Sequence, residues 1–184
     1  IQYIPKKMKR IPFSSRFPAT HPRKGKLTFF PEKIWAHLII NRGYTEMQSA
    51  QWLHEYRGKV LSEWERGLSF QAIASAILDK TPKIHTIRKG EKRKVGDKFD
   101  PYVWTGLPYR TPQIVFAPTL EVLQLEHFQT QIEGAKKTRY FSVEGHFMSH
   151  WELVELAQND GLFIDDFKDW FSKSDEMQGQ IIYF

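Results

Sequence analysis

The apolar residues of this sequence change their spacing at about residue 80, and that change limits the folds the chain can adopt. Residues 45–79 repeat apolar side chains at the three- and four-residue spacing of helices that bury one face. After residue 80, segments rich in β-branched and aromatic residues predict strands. We therefore predict an α+β fold: a small antiparallel, barrel-like sheet with helices at its margins and a helical hairpin.

The hairpin is expected to contain two helices. Thr45 and Gln48 have the spacing of a capping box at the start of the first helix. Gly67 is predicted to end that helix, and Ser69 to cap the second one. The predicted buried positions of the first are Leu53, Tyr56, Val60 and Trp64, and those of the second are Phe70, Ile73, Ala74, Ile77 and Leu78.

The remaining elements follow from composition and turn signals. The predicted strands are residues 26–30, 83–88, 98–106, 113–129 and 179–184. The other predicted helices are one beginning at Pro31 and two covering residues 150–158 and 164–171. Residues 1–26 contain four prolines and no helical periodicity, so we predict an extended arm with at most one short strand.

Composition excludes several classes of protein. The 184 residues are 41% hydrophobic, which is ample for one packed domain, and no apolar run is long enough for a membrane helix. We therefore expect a soluble cytoplasmic protein without a membrane partner. The absence of cysteine excludes disulfides, thiolate metal sites and cysteine nucleophiles.

No motif in the sequence predicts a cofactor or a metal ion. The phosphate-loop, dinucleotide and hydrolase-elbow motifs are missing. We interpret His146 and His150, which are four residues apart, as surface histidines rather than metal ligands. Asp165 and Asp166 lie where a helix is predicted to start, and acidic residues are favoured there for electrostatic reasons alone.

Positive charge is concentrated in two segments. Residues 1–26 contain eight basic and no acidic residues, and residues 80–98 contain eight basic and two acidic ones. Because the net charge of the whole chain is +6, the rest of the chain is acidic on balance. Such segments predict an anionic partner, with nucleic acid as the first candidate, although a solvated surface is the alternative. Aromatic residues within the first segment, Tyr3, Phe13 and Phe17, favour RNA or DNA because bases stack on such rings.

Several short segments resemble, in their order and spacing, the ASCH group of PUA-like domains. The segments are LTFF (27–30), KIHTIR (83–88), KVGDKF (94–99), NDGLFIDDFKDWF (159–171) and GQIIYF (179–184). The likeness is to small bacterial and phage proteins of this type, and it implies a bacterial cell or a phage-infected host cell as the source. It implies one domain over residues 27–184, preceded by the basic arm (1–26) and interrupted by a helical insertion at about 41–79. It also implies a PUA-like β-barrel with a cleft for an RNA or nucleotide ligand.

Some small bacterial members of this group are amidohydrolases that deacylate N4-acetylcytidine. The resemblance places Lys83, Thr86 and Asp160 on their Lys, Thr and carboxylate positions, with Asp160 one methylene shorter than the family's Glu. Thr86 and Arg88 share one side of a strand, whereas Lys83 reaches Thr86 only if the chain turns at Pro82. The alternative is that Thr86 is an ordinary strand residue and Lys83 a solvated cation. His85 is interpreted as structural or as a hydrogen-bonding ligand contact.

The leading hypothesis is therefore a domain that binds RNA or a nucleotide, and the second is an amidohydrolase acting on a modified pyrimidine nucleoside. In the first, Trp104 and Tyr109 are candidates for stacking a base. Basic side chains of the arm would contact phosphates; they are Arg10, Arg16, Arg23 and Lys24. A third hypothesis is that the insertion docks a host protein through Trp52, Tyr56 and Trp64.

Overall fold

The computed structural model describes residues 9–78, 81–135, 137–172 and 176–184. These residues form helices and strands in separate runs, so the predicted α+β class is confirmed. The helices are α1 (Phe30–Arg42), α2 (Glu46–Val60), α3 (Glu63–Leu78), α4 (His150–Asn159) and α5 (Ile164–Ser172). The strands are β1 (Lys9–Pro12), β2 (His85–Lys89), β3 (Lys98–Trp104), β4 (Gln113–Val115), β5 (Leu120–Glu121), β6 (Gln124–Glu133), β7 (Thr138–Val143), β8 (His146–Phe147) and β9 (Met177–Tyr183).

The strands pair into two sheets. The first has the order β1-β3-β4, with β5 also paired to β3, and the second has the order β2-β9-β6-β7-β8. The predicted antiparallel sheet is correct for the second, but β1 runs parallel to β3 in the first. A parallel pair needs a long connection, which here contains α1 to α3. Among the described strands no pairing closes a barrel, so the PUA-like barrel stays a prediction.

The two sheets and α1 enclose one apolar core. Helix α1 is buried on most of its sides, and its Ile34, Trp35 and Ala36 are inaccessible to solvent. The Trp35 indole Nε1 donates to the carbonyl of Phe116 at 2.7 Å, which satisfies its polar atom within the core. Because this helix is buried on nearly all sides, it lies at the centre of the fold rather than on its surface.

Residues 26–30 do not form the predicted strand. Leu27 makes only an isolated bridge with Arg16, and α1 already begins at Phe30. The Thr28 hydroxyl accepts from the Phe30 N–H at 3.3 Å, and Pro31 lies in the first helical turn. Proline is favoured in the first turn of a helix, so α1 begins inside the segment that was predicted as a strand.

The described part of the basic segment, residues 9–26, packs its apolar side chains into the domain instead of only lying over its surface. Phe13 and Phe17 are buried in the core, and the intervening chain is fixed by backbone hydrogen bonds such as Phe17 N–H to Lys26 O at 2.9 Å. Neither ring is therefore available to stack a base, contrary to the sequence-based expectation. Tyr3 lies outside the described residues.

The helical segment differs from the prediction at its second boundary. The capping box of Thr45 and Gln48 is confirmed, but α3 begins at Glu63 and runs through the positions of Gly67 and Ser69. The cause is an earlier cap, in which the Ser62 N–H donates to the Glu65 carboxylate at 2.9 Å. Helix α3 lies against α1. The side chains at the predicted apolar positions of α3, from Phe70 to Leu78, lie outside the described part.

The later elements agree with the sequence more closely. Helices α4 and α5 match the predicted ranges to within one residue. The predicted strand over 113–129 is divided into β4, β5 and the start of β6, because Pro118 interrupts the pairing. A helix of sufficient length and apolarity to span a membrane is not found in the described ranges.

Candidate nucleic-acid interface

A basic cleft of about 430 Å³ lies between the edge strand β1 of the first sheet and the β2–β9 edge of the second. Among the described residues that line it, none is acidic. Six are basic: Lys9, Arg10, Arg88, Lys89, Lys92 and Arg93. The other lining residues are Ile11, Pro12, Gly90, Gln180 and Ile182.

The loop after β2 is fixed to β9, and this fixes the position of its basic side chains. Gly90 turns the chain with φ +79° while its N–H donates to Gln178 O at 2.9 Å. Arg93 and Gln180 then exchange two hydrogen bonds of 3.1 Å between backbone and side chain. The Arg93 guanidinium also donates to Arg10 O on β1 at 3.1 Å. Hydrogen bonds therefore join the three segments that line the cleft, which are β1, the loop after β2, and β9.

Arg88 forms the floor where the two sheets meet. Its guanidinium donates to the carbonyl of Pro12 and lies 5.3 Å from the centre of the Phe13 ring. Burial lowers the pKa of Arg88 to about 10, while the carboxylate of Asp160 opposes that shift. The side chain remains charged at neutral pH, so it adds a fixed positive charge to the cleft.

Lys83 and Asp160 meet as the second hypothesis requires, but in the interior. The Lys83 ammonium donates to the Asp160 carboxylate at 2.5 Å and to its backbone carbonyl at 2.6 Å. Lys83 is 1% exposed and Asp160 is 7% exposed. Burial lowers the pKa of Lys83 to about 8. Burial is the largest single effect on Asp160 and opposes its ionisation, but Lys83 and His85 together outweigh burial and hold the pKa of that carboxyl below its usual value.

Thr86 is separated from this pair by the alternation of the strand. The His85 ring Nδ1 lies 3.5 Å from the Asp160 carboxylate, on the side where Lys83 also lies. Adjacent residues of a strand point to opposite faces, so Thr86 shares the face of Arg88. The structure thus brings together Lys83, His85 and Asp160 rather than Lys83, Thr86 and Asp160. None of these four residues lines the cleft.

The end of α4 explains why the pair forms. Gly161 has φ +76°, and the N–H groups of Gly161 and Leu162 bond back to Gln158 O and Ala157 O in a Schellman motif. The carbonyl of Gly161 accepts from the Lys33 ammonium at 2.6 Å, next to the Lys83 contact with Asp160. Two cations therefore lie at the negative end of the helix dipole, where they are stabilising.

The predicted stacking residues lie on the first sheet. Trp104 is half-buried at the end of β3, and Tyr109 in the following loop is 89% exposed. Their ring centres are 5.3 Å apart. Both residues lie outside the cleft but next to the strand that forms one of its walls.

The four arm residues have different surroundings. Arg16 forms two bonds of 2.6 and 2.8 Å with the Glu65 carboxylate, and Arg23 binds Asp166 at 2.5 Å. Both guanidinium groups are therefore paired with carboxylates, one on α3 and one on α5. Arg10 lines the cleft, and Lys24 is exposed on a turn outside it.

The insertion presents only part of its predicted docking surface. Trp52 and Trp64 are exposed, whereas Tyr56 is wholly buried. Tyr56 is therefore a core residue and not a docking residue, because its side chain lies in the apolar core.

Sequence reasoning singled out Arg10 and Arg88 but not four other basic residues of the cleft. Those residues are Lys9, Lys89, Lys92 and Arg93. In the sequence, only the high positive charge of residues 80–98 pointed to this surface. To tell which of its basic residues line the cleft, one needs to know that β1 pairs with β3. Lys33 and Gly161 also had no signal, because their role depends on a contact between distant segments.

Comparison of the chain with protein-family models, with curated proteins and with solved structures found no match in any of the three.

Proposed function

We propose that this protein binds the phosphates of RNA or of a nucleotide in the basic cleft. The observation that carries the proposal is a cleft whose lining, over the part of the chain that the structure describes, contains six basic and no acidic side chains. Clefts of one charge sign concentrate the field of their side chains and attract counter-charged ligands. Phosphate is the anion that planar guanidinium groups and lysine ammonium groups commonly bind in proteins.

The surroundings of the cleft strengthen this assignment. Arg16 and Arg23 have carboxylate partners, whereas Lys89 and Lys92 are exposed at the mouth of the cleft. Lys9 is held at 2.8 Å by Asp97, which lies outside the lining. A phosphate can therefore reach lysine and arginine side chains there with little loss of existing ion pairs.

A charge-reversal experiment tests the proposal. Binding of a fluorescent single-stranded RNA is measured by anisotropy at several salt concentrations, for the wild type and for the double variant Lys89→Glu/Lys92→Glu. The affinity of the wild type is expected to fall steeply with salt, with a log–log slope of about −0.7 for each phosphate contact. The double variant is expected to bind at least roughly tenfold more weakly, because attraction at two sites becomes repulsion.

Lys24→Glu is the matched control, since Lys24 is exposed but lies outside the cleft. It is expected to weaken binding much less than the double variant. Binding that neither salt nor the double variant changes contradicts the proposal. A larger loss of affinity in Lys24→Glu than in the double variant would show that phosphates bind at the turn over residues 18–25 instead.

Deacylation of an N4-acylated cytidine is a second candidate function, favoured by the 2.5 Å contact of Lys83 with Asp160. In that reaction water cleaves the amide bond and releases cytidine and a carboxylic acid. Lys83 can act as a base only when it is uncharged, so the rate is expected to rise as the pH approaches about 8. The buried position of the pair makes this candidate secondary.

The test is incubation with N4-acetylcytidine and detection of cytidine by chromatography. Wild-type turnover that Lys83→Ala abolishes supports the reaction. Absence of turnover by the wild type, or equal turnover by Lys83→Ala, removes this candidate.

A further inference from the structure

Three aromatic rings form a ladder on one face of the first sheet. The ring centres of Tyr102 and Trp104 are 5.6 Å apart at an angle of 78°, and those of Trp104 and Tyr109 are 5.3 Å apart at 50°. Phe99 and Val103, the alternating residues of β3, are wholly buried and face the core. The three rings therefore lie on the other face of β3, where their exposure rises from the buried Tyr102 through the half-buried Trp104 to the exposed Tyr109.

The loop after β3 holds that last ring in place. Tyr109 has φ +64°, a conformation that is uncommon for a bulky L-residue. The loop is closed by bonds of 3.0 Å from Thr105 N–H to Pro112 O and from Gly106 N–H to the Thr111 hydroxyl. The hydroxyl in turn donates to Leu107 O at 3.0 Å. A ring displayed in this way is pre-organised, and a ligand that stacks on it need not order the loop.

The ladder adjoins the basic cleft across the β1–β3 pair. Arg10 lines the cleft, and its guanidinium donates to the Gln113 side chain at 2.9 Å. Gln113 pairs with Trp104 across β3 and β4, and Pro12 of the cleft pairs with Tyr102. Adjacent strands are about 5 Å apart, so the ladder begins one strand away from the phosphate-binding wall.

We infer that the ligand of the cleft is a single-stranded nucleic acid, with its phosphates along the cleft and one base stacked on Tyr109. This inference rests on the proposed function. A cleft that offered only positive charge would also bind a duplex. In a duplex, however, the faces of the bases are covered by the neighbouring bases and cannot stack on a protein ring. An exposed aromatic ring beside a basic groove is the arrangement by which proteins bind unpaired strands, because every base has a face that can stack.

The experiment compares two strands of equal charge. Anisotropy is measured with a single-stranded RNA of about ten nucleotides and with an abasic strand of the same length. The wild type is expected to bind the base-bearing strand roughly tenfold more tightly, since one stacked base contributes that much. Tyr109→Ala and Tyr109→Gly are expected to remove the difference, and glycine accommodates the positive φ without strain. Tyr109→Phe, which keeps the ring, is expected to preserve it.

Tyr140→Ala is the matched control, because Tyr140 is an exposed tyrosine on β7 of the other sheet. It is expected to leave the preference for bases unchanged. A duplex of the same sequence is expected to bind the wild type more weakly than the single strand.

The possible failures can be told apart. If the wild type binds the base-bearing and abasic strands equally, or prefers the duplex, the stacking inference is overturned while the basic cleft still stands. If it binds none of them, binding of RNA in the cleft is overturned and the inference with it. If Tyr109→Gly keeps the wild-type preference for bases, Tyr109 is not the stacking residue and the inference is overturned.

Discussion

Gly161 illustrates how a single residue can be required by both conformation and space. Its φ of +76° lies in the left-handed region, which L-residues with a side chain avoid. A Cβ atom at Gly161 would also lie 3.1 Å from Lys83 Cβ and 3.3 Å from Lys33 Cδ. The close approach of these two lysines to the end of α4 therefore depends on the absence of a side chain.

Gly161→Ala is expected to destabilise the protein by about 2–3 kcal/mol, from the left-handed conformation and the crowding together. The measurement is urea unfolding. Gly145→Ala is the control, since Gly145 has φ +78° and a Cβ atom there would meet nothing within 4 Å. It is expected to cost only about 1–2 kcal/mol. Equal losses of stability in the two variants would show that the side chains of Lys33 and Lys83 move away from the added methyl group at no cost in free energy.

The ion pair of Lys83 and Asp160 allows a second prediction about single residues. Asp160→Asn removes the carboxylate and leaves the ammonium of Lys83 buried, which is expected to cost on the order of 3 kcal/mol in urea unfolding. Lys59 and Glu55 provide the control, because they are also 2.5 Å apart but exposed. Glu55→Gln is expected to change stability by less than about 0.5 kcal/mol. A similar loss in both variants contradicts the assignment of Lys83 and Asp160 as a buried pair that supports the fold.

At the scale of elements, the contact of α1 with α2 and α3 contains a buried acid. Glu32 of α1 is inaccessible to solvent. Burial raises the pKa of Glu32 to about 7, against smaller opposing effects of its own backbone, the Arg57 guanidinium and the hydroxyls of Ser69 and Tyr56. The helices after α1 therefore pack over a carboxyl group that is largely protonated when the pH is below about 7.

This burial predicts how stability depends on pH. Between about pH 4.5 and 7 the unfolded chain has released the Glu32 proton while the folded chain still holds it. Stability is therefore expected to fall as the pH rises through this window, by on the order of 3 kcal/mol, and to lose no more above it. The measurement is urea unfolding of the wild type and Glu32→Gln at pH 5 and pH 7.5.

The amide of Glu32→Gln does not titrate, so its stability is expected to change less over that interval than that of the wild type. Glu55→Gln serves as the control, because Glu55 is exposed on α2 and its loss is expected to leave the wild-type pH dependence intact. Identical pH dependence in the wild type and Glu32→Gln rules out Glu32 as its source.

At the scale of the whole molecule, the segment after β1 joins the two sheets. The Phe13 N–H donates to Tyr102 O at 2.7 Å in the first sheet. Its ring meets Phe116 at 5.8 Å and Phe184, which follows β9 of the second sheet, at 6.2 Å. One residue of the basic segment thus connects both halves of the core.

Phe13→Ala is expected to destabilise the whole domain by about 3–5 kcal/mol, because it leaves a cavity where the sheets meet. Thermal unfolding followed by circular dichroism measures this loss. Lys24→Ala, in the same basic segment but exposed, is expected to shift the midpoint by little. A small effect of Phe13→Ala would show that the segment lies on the fold rather than within it.

Most helices and strands could be predicted because their signals are local. The capping box of Thr45 acts over a few residues, and a periodic run of apolar residues defines its own buried face. The prediction for 26–30 failed because the segment KLTFF is too short to distinguish a strand from the start of a helix.

The sequence by itself determined the class of fold, the location of most elements and the two segments that hold the positive charge. Only the tertiary structure decided which charges remain available to a ligand. It pairs Arg16 with Glu65 and Arg23 with Asp166, while the pairing of β1 with β3 brings Arg10 beside Arg93. These contacts join residues far apart in the chain, and local periodicity carries no information about the partner that a strand or a charge will find.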